Sequence, residues 1–349
     1  MIKHYTKACN FYFGLISKKK VKSKFSLPLH GNNLVSFDTI EILSRKKIKR
    51  INIKDINRLE NKIKKKVLLD IKKITKKKSF KGLKLSKFPI LMGVLNLTPN
   101  SFSDGGKYNK KGLDILHAKR LIKDGCDILD IGGEATNPGS KEIEADAEWK
   151  RIFPTLSKIK KLNKFISLDT RKSLIMKKGI KEKINLINDI SGLDHDFDTI
   201  KILKETKIPF VIHHIQGNPQ TMQEKPKYKD VVLDIYDFFE KKINYIRSQG
   251  IKHNNIILDP GIGFGKNLKH NITLIRNISI FHSLGFPVMI GTSRKRFIKG
   301  ISKNNDSKER LGGTISSCLF AITQGVQILR VHDVNEVNQS IKVFNSLKF

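Results

Sequence analysis

Polar and ionisable side chains stand directly after short apolar runs throughout this 349-residue sequence. The positions are Asn96, Asp130, Asp169, Asn188, Asp189, His214, Asp259, Arg330 and His332. An Asn or Asp at one such position is typical of a helix N-cap, because its side chain accepts hydrogen bonds from free backbone N–H groups. Gathered around one axis, these carboxylates and amides would bind a ligand rich in N–H donors, since a carboxylate accepts two parallel N–H bonds. The set therefore favours a pocket for a nitrogen heterocycle such as an aminopyrimidine.

Basic residues are concentrated at the end of the same series. Arg294, Lys295 and Arg296 follow the seventh apolar run, and Arg330 and His332 lie in and after the eighth. In a (β/α)8 barrel, the loops after strands seven and eight commonly bind phosphate. We therefore predict an anionic group of the ligand beside the heterocycle.

Motifs for several other chemistries are absent from the sequence. No Gly-x-Ser-x-Gly elbow occurs, so nucleophilic acyl transfer has no support. The glycine-rich stretch DPGIGFGK at 259–266 fails the P-loop pattern, because Pro260 stands where the first glycine is required. Cys9, Cys126 and Cys318 lack the spacing of a zinc site or a disulfide framework, which fits a reducing cytoplasm.

The candidate residues converge only if the apolar runs are strands of one sheet. Eight runs alternate with segments of helical period: PILMGVLNL, DILDIG, KFISLD, INLIND, PFVIHH, NIILD, FPVMIG and QILRV. Each run is apolar on both faces, as parallel strands covered by helices are. Eight even units favour an α/β fold, a (β/α)8 TIM barrel, over an open doubly wound sheet, which would carry a cofactor fingerprint after its first strand.

Residues 1–88 do not share the regular alternation of apolar runs and helical segments seen in the rest of the chain. They are predicted to be a Lys-rich N-terminal extension, followed by the barrel domain at 89–349. The formal net charge is +36, but lysines occur throughout and no nucleic-acid-binding pattern accompanies them. We attribute the charge to compositional bias rather than to a nucleic-acid partner. No apolar run approaches the roughly 18 residues of a membrane span. A cytoplasmic protein without a membrane contact is expected.

Several motifs together resemble, in order and spacing, those of the dihydropteroate synthase family. They are LMGVLNLTPNSFSDGG, DILDIGGEATNPGS, SLDT, INDISG, GNPQTMQ, ILDPGIGFGKN, GTSRKRF and QILRVHDV, within residues 89–349. The resemblance implies a transferase of folate biosynthesis. It condenses 6-hydroxymethyl-7,8-dihydropterin diphosphate with p-aminobenzoate, releasing diphosphate, in a (β/α)8 barrel that is usually a homodimer. In this family the diphosphate is thought to leave first, giving a pterin cation.

The same resemblance implies a role for each matching residue. The pterin would be bound by Asp169, Asn188, Asp259, Phe264 and Lys295, of which Asp169 and Lys295 would be catalytic. The diphosphate would be bound by Asn96, Ser101, Arg330 and His332, with Asn96 holding Mg²⁺. The p-aminobenzoate would contact Thr136, Pro138, Phe264 and Arg296.

Three positions depart from the family pattern. Asn137 replaces the usual Arg, Arg296 replaces a frequent Ser, and His213 replaces an apolar residue beside the pterin. We hypothesise that Arg296 supplies the charge lost at position 137. Two alternatives are left open, the first by these departures and the second by the Lys-rich N-terminal segment. One is a pterin-binding barrel with a lost or changed amine substrate, including the related folate-dependent methyltransferases. The other is a nucleic-acid-associated protein that uses the Lys-rich segment.

Overall fold

A computed structural model describes residues 2–98, 112–303 and 306–348. Ser101, predicted to bind diphosphate, lies outside the described residues. The remaining residues named above lie within them.

Residues 5–75 form an antiparallel sheet with two helices. The elements are β1 Tyr5–Phe13, α1 Gly14–Lys22, β2 Leu27–Leu29, β3 Asn32–Leu43, β4 Ile48–Asn52, a 3-10 helix Ile53–Arg58 and α2 Asn61–Thr75. The long strand β3 pairs with the other three strands. Residues 39–42 of β3 alternate between half-buried and buried side chains, with Ile40 and Ile42 in the core. This alternation is typical of a sheet that is covered on one face.

Eight parallel strands follow in the described part of the chain. They are β5 Ile90–Asn96, β6 Ile128–Gly132, β7 Phe165–Asp169, β8 Leu186–Asp189, β9 Phe210–His213, β10 Ile256–Asp259, β11 Met289–Ile290 and β12 Ile328–Val331. The sheet order runs from β10 back to β5 and then through β12 to β11. A single parallel bridge between Leu258 and Val288 links its two ends. The predicted (β/α)8 barrel is therefore confirmed as a nearly closed barrel.

Helices connect the strands and cover the outside of the barrel. They are α3 Leu113–Lys123, α4 Ala145–Ile159, α5 Ser173–Lys181, α6 Asp198–Thr206, α7 Val231–Ser248, α8 Leu268–Arg276, α9 Arg296–Ser302, α10 Leu311–Thr323 and α11 Val334–Lys348. Three further 3-10 helices are Lys160–Leu162, Ile278–Leu284 and Lys308–Arg310. In such a barrel the loops after the strands meet at one end, so residues from distant parts of the sequence converge there.

The N-terminal sheet packs against the barrel through polar and aromatic contacts. The Tyr5 hydroxyl donates to Asp237 of α7 at 3.0 Å, and its ring lies edge-on to Tyr236 with centroids 5.1 Å apart. Lys7 of β1 donates to Asn277 at 2.8 Å. These contacts join residues 5–75 to the outer helices rather than to the ends of the strands that carry the candidate site.

The opposite end of the barrel is closed by a segment that precedes β5. Phe80 is only 7% exposed and packs on the apolar side chains at the beginnings of the strands. We call this group the floor cluster; it comprises Phe80, Ile90, Met92, Ile128, Leu186, Val211, Ile257, Met289 and Ile328. Leu83 and Leu85 pack against it. The segment before the first barrel strand therefore completes the barrel core.

Replacing Phe80 with Ala tests the floor cluster. We expect the free energy of unfolding to fall by about 3–5 kcal/mol, because a buried ring is lost and a cavity remains. Phe197→Ala is the control, since Phe197 is 98% exposed and should change stability by no more than about 0.5 kcal/mol. Both values come from denaturant unfolding. Equal losses for the two variants would contradict this account of Phe80.

Candidate active site

A cavity of about 510 Å³ opens at the end of the barrel where the strands finish. This volume is within the range of small-molecule pockets. The predicted residues that line it are Asn96, Thr136, Pro138, Phe264, Lys295, Arg296, Arg330 and His332. They come from the loops after β6, β10 and β12, from the segment between β11 and α9, from the first residue of α9, and from β5 and β12. The structure thus brings most of the predicted set to one place.

Three predicted carboxylate and amide residues are buried at the strand ends. Asp169, Asn188 and Asp259 end or nearly end β7, β8 and β10, and are 8%, 2% and 4% exposed. Asp169 connects to the cavity through Arg330, which lines it. Arg330 Nη2 donates to Asp169 at 2.7 Å.

Arg330 holds a second carboxylate that was not among the predicted site residues. Its Nε donates to Asp130 at 2.6 Å, and Asn188 Nδ2 donates to the same oxygen of Asp130 at 3.2 Å. Burial disfavours the charged guanidinium, but Asp130 and Asp169 raise the pKa of Arg330 above its usual value. Asp130 was visible in sequence only as one strand-end acid among several. The contact with Arg330, rather than any spacing in the sequence, distinguishes Asp130 from the other strand-end acids.

The carboxyl group of Asp169 lies among more negative than positive neighbours. Burial raises the pKa of Asp169 to about 8; Arg330 opposes this rise and Asp130 adds to it. Two buried carboxylates with one guanidinium between them do not both ionise easily. A ligand that donates N–H bonds to Asp169 would favour the anion.

Lys295 lies over the Phe264 ring and interacts electrostatically with the buried acid Asp259. Its Nζ donates to the Ile262 carbonyl and is 4.7 Å from the centroid of the Phe264 ring. Burial lowers the pKa of Lys295 to about 8, although Asp259 opposes this shift. Burial raises the pKa of Asp259, with Lys295 as the largest opposing influence. The cation and the ring form one wall of the cavity.

The two adjacent histidines of β9 and the following loop have different surroundings. His213 Nδ1 lies 3.0 Å from the Ile190 carbonyl, and its ring is edge-on to Phe264 with centroids 4.5 Å apart. A carbonyl only accepts, so Nδ1 carries the proton and Nε2 is left as an acceptor. His214 instead contacts Lys266, whose Nζ lies 2.9 Å from its Nδ1. His213 therefore supports the cavity wall while His214 packs beneath the loop after β10.

Lys266 is a site residue that the sequence analysis missed. It lines the cavity, yet is only 2% exposed, and it donates to the Phe264 carbonyl at 2.7 Å. Burial lowers the pKa of Lys266 well below its usual value. In a chain this rich in lysine, one further Lys carries no local signal of burial.

The basic residues after β11 and β12 are not equally available to an anion. Arg294 Nε donates to Asp333 at 2.9 Å, so its charge is balanced. His332 Nδ1 lies 3.1 Å from the Ser293 hydroxyl, and burial lowers the pKa of His332 to about 3. His332 is therefore a neutral hydrogen-bonding group in this site. Arg330 and Lys295, both half-buried, carry the positive charge of the inner cavity, and the exposed Arg296 adds charge at the rim.

No cluster of three or more His, Cys, Asp or Glu side chains suited to a metal occurs within residues 2–98, 112–303 and 306–348. None of the helices in this part of the chain has the length and apolar composition of a membrane span. The polar groups of the site instead suit a small organic ligand with both N–H donors and an anionic end.

Comparison with known proteins identifies the class. Residues 92–332 match the model of the pterin binding enzyme family, and the chain belongs to that family. It is 40% identical over 256 residues to the dihydropteroate synthase of Escherichia coli K12, covering 73% of this chain and 90% of that one. The Synechocystis dihydropteroate synthase is 39% identical over 258 residues, covering 74% and 89%.

A solved structure agrees with these sequence relatives. The crystal structure of the Yersinia pestis dihydropteroate synthase with a sulfonamide drug complex has a TM-score of 0.73 and 35% identity, covering 77% of this chain and 98% of that one. The resemblance drawn from sequence, the barrel fold and the assignment as a transferase of the dihydropteroate synthase type are confirmed.

The pKa of Lys295 gives a test that requires no substrate. In ¹³C-lysine-labelled protein, we expect one side-chain resonance, lost in Lys295→Met, to titrate near pH 8, the value to which burial lowers the pKa of Lys295. Surface lysines titrate near about 10.4. Lys78→Met is the matched control, because burial also lowers the pKa of Lys78 to about 8 at a distance from the cavity. A Lys295 midpoint at the surface value would disprove the burial of its charge.

Proposed function

We propose that this cavity binds dihydropterin diphosphate and p-aminobenzoate together and joins them as dihydropteroate. The observation that carries the proposal is the position of Arg330. It reaches from the cavity to two buried carboxylates, so groups for N–H donors and a group for an anion lie side by side. A pterin diphosphate has both features in one molecule.

The pterin half is assigned to the buried end of the cavity. Asp169, Asn188 and Asp259 would accept the N–H groups of the aminopyrimidine edge, because carboxylates and amide oxygens pair with such donors. Phe264 offers an aromatic surface at one side, and the Lys295 ammonium beside it would donate to the ring oxygen or nitrogen. The 4.7 Å separation of Lys295 Nζ from the Phe264 ring supports a joint role.

The diphosphate half is assigned to Asn96, Arg330 and the neutral His332. Asn96 is an exposed residue at the end of β5 and lines the cavity, which suits a single amide ligand for Mg²⁺. Magnesium is usually held by one or two protein oxygens together with substrate phosphates and waters, so a fuller protein cage is not required. When bound there, Mg²⁺ would stabilise the negative charge that develops on the leaving diphosphate.

The second substrate is assigned to Thr136, Pro138, Phe264 and Arg296, which line the outer part of the cavity. One neighbour supports this choice of ligand: the Xanthomonas albilineans dihydropteroate synthase was solved with 4-aminobenzoic acid, at 31% identity and a TM-score of 0.70, covering 76% of this chain and 95% of that one. Arg296 would pair with the carboxylate of that substrate.

The proposed reaction exchanges one bond at the pterin methylene carbon. The C–O bond breaks and its electron pair leaves with the diphosphate, where Arg330 stabilises the added charge. Asp169, ionised in contact with the pterin, stabilises the positive charge that develops on the ring. The neutral aniline nitrogen then forms the C–N bond with its lone pair and releases a proton to solvent.

A homodimer, a cytoplasmic location and the division of the chain at residue 88 are part of the same proposal. The exposed Phe320 on α10 offers an apolar side chain for a subunit contact.

The activity is tested with purified protein, Mg²⁺ and dihydropterin diphosphate, with and without p-aminobenzoate. We expect dihydropteroate, followed by chromatography, and an equal amount of diphosphate. Asp169→Asn should lower kcat/KM by roughly 10²–10³-fold, because the charge opposite the developing cation is lost. Diphosphate without dihydropteroate would instead indicate a barrel whose amine substrate has changed. An inactive wild-type protein that fails to bind pterin would disprove the proposal.

Arg296 is expected to act on the second substrate alone. Arg296→Ser should raise the KM for p-aminobenzoate roughly fivefold, since one exposed ion pair contributes about 1 kcal/mol. The KM for dihydropterin diphosphate should stay the same. Lys299→Ser is the control, because Lys299 is an exposed cation of the same helix that does not line the cavity. Equal changes in both KM values would contradict the hypothesis that Arg296 supplies the charge lost at position 137.

A further inference from the structure

The loop between β6 and α4 forms the outer wall of the cavity, but its tip has few internal contacts. Ala135, Thr136, Asn137 and Pro138 line the cavity, and Asn137 is exposed. The described hydrogen bonds of this tip include one from the Gly139 N–H to the Pro219 carbonyl at 2.9 Å. Other side chains must therefore hold the loop in place.

Two contacts join the ends of this loop: the Ile143 N–H donates to Glu134 at 3.1 Å, and Arg171 bridges Glu134 and Glu142. Arg171, in the segment after β7, donates from Nε to Glu134 at 2.8 Å and from Nη2 to the other oxygen of Glu134 at 3.4 Å. Its Nη2 also lies 3.5 Å from Glu142. Glu134 is the first cavity-lining residue of the loop, and Glu142 follows the last of them. We call Arg171, Glu134 and Glu142 the loop clamp.

The loop clamp is largely shielded from water at its centre. The side chains of Arg171 and Glu134 are 9% and 5% exposed, whereas that of Glu142 is 48% exposed. Burial alone would raise the pKa of Glu134, but hydrogen bonds from Arg171 and Lys172 lower it below the usual value. Charge-assisted hydrogen bonds with little water around them are stronger than exposed ones. The Glu134 end is therefore firmly held.

Lys172 anchors Glu134 independently of Arg171. It donates to Glu134 at 2.8 Å and to the fully buried Glu148 of α4 at 2.7 Å. Glu134 thus remains tied to the barrel when Arg171 is removed. Besides the backbone contact of Ile143 with Glu134, Arg171 adds a side-chain link from Glu134 to Glu142 at the far end of the loop.

A histidine from the next loop completes the far end. Arg171 Nη1 lies 3.4 Å from His195 Nδ1, and His195 Nε2 lies 3.0 Å from Glu142. Because arginine only donates, His195 Nδ1 accepts, and its Nε2–H is left to donate to the Glu142 carboxylate. Arg171 therefore reaches Glu142 both directly and through His195.

We propose that Arg171 is a positioning residue for the second substrate: it closes the loop at 135–141 around the p-aminobenzoate side of the cavity. The inference rests on the proposed function for the identity of that substrate. A loop that is already ordered costs less conformational entropy when the substrate binds. Arg171 does not line the cavity, so its effect must pass through the loop.

Arg171→Met tests the proposal in the full-length protein. We expect the KM for p-aminobenzoate to rise about tenfold, while the KM for dihydropterin diphosphate changes less than about twofold. Arg171→Lys should recover part of the loss, because it can still pair with Glu134. Glu142→Gln should raise the same KM, and its effect should be smaller when Arg171 is already Met, since both act through one link.

Arg247→Met is the matched control for a general loss of stability. Arg247 is half-buried and binds the carbonyls of Ile251 and His253 at the other end of the barrel. It should leave both KM values unchanged. Equal increases of both KM values in Arg171→Met, or no increase, would overturn the proposal.

Hydrogen exchange of residues 135–142 gives a readout that needs no turnover. Arg171→Met should speed exchange in this segment relative to wild type, and Arg247→Met should not. If the wild-type protein made no dihydropteroate, the proposed function would fail while exchange still tested the clamp. Unchanged exchange in Arg171→Met would disprove the clamp even in an active enzyme.

Discussion

The contact of Arg330 with Asp130 and Asp169 is the interaction on which the rest of the site depends. A buried guanidinium without acceptors, or a buried carboxylate without a cation, would cost several kcal/mol. Each of these groups therefore requires the other two to be in place. They come from β12, β6 and β7, so the charges are compensated only when the barrel has closed. The site is therefore complete only when the barrel has folded.

The charge of this cluster also explains why it suits a ligand. One guanidinium stands between two buried carboxylates, and burial together with the second acid keeps the pKa of Asp169 high. Asn188 Oδ1 and Asp130 Oδ1 are buried without a hydrogen-bond partner among the described residues. A heterocycle with several N–H groups would complete this set. The specificity of the site for such a ligand therefore comes from buried hydrogen-bonding atoms that have no partner among the described residues.

The sequence predicted the fold well because each strand is an apolar run that ends in a polar residue. Asn96, Phe264, Lys295 and Arg330 surround one cavity as expected, since the barrel fixes where strand ends meet. Asp130 could not be selected, because its partner is 200 positions away and a strand-end Asp is otherwise indistinguishable from a cap. The neutral state of His332 and the burial of Lys266 depend on packing, which local spacing does not encode. The antiparallel sheet at residues 5–52 was likewise not predicted, because its pairing is defined by contacts between distant strands.

The floor cluster has a consequence for how the chain is made. Phe80 and Leu83 leave the ribosome before any strand of the barrel, yet the surface that buries them includes Ile328 near the C-terminus. Contacts of such long sequence separation form late, because the closure of a long loop must precede them. During synthesis these apolar side chains are therefore exposed until almost the whole chain has emerged. The pairing of strands β1 to β4 is complete within the first 52 residues, so these strands can form long before that. They keep the nascent N-terminus compact while the segment that follows is not yet packed against the barrel.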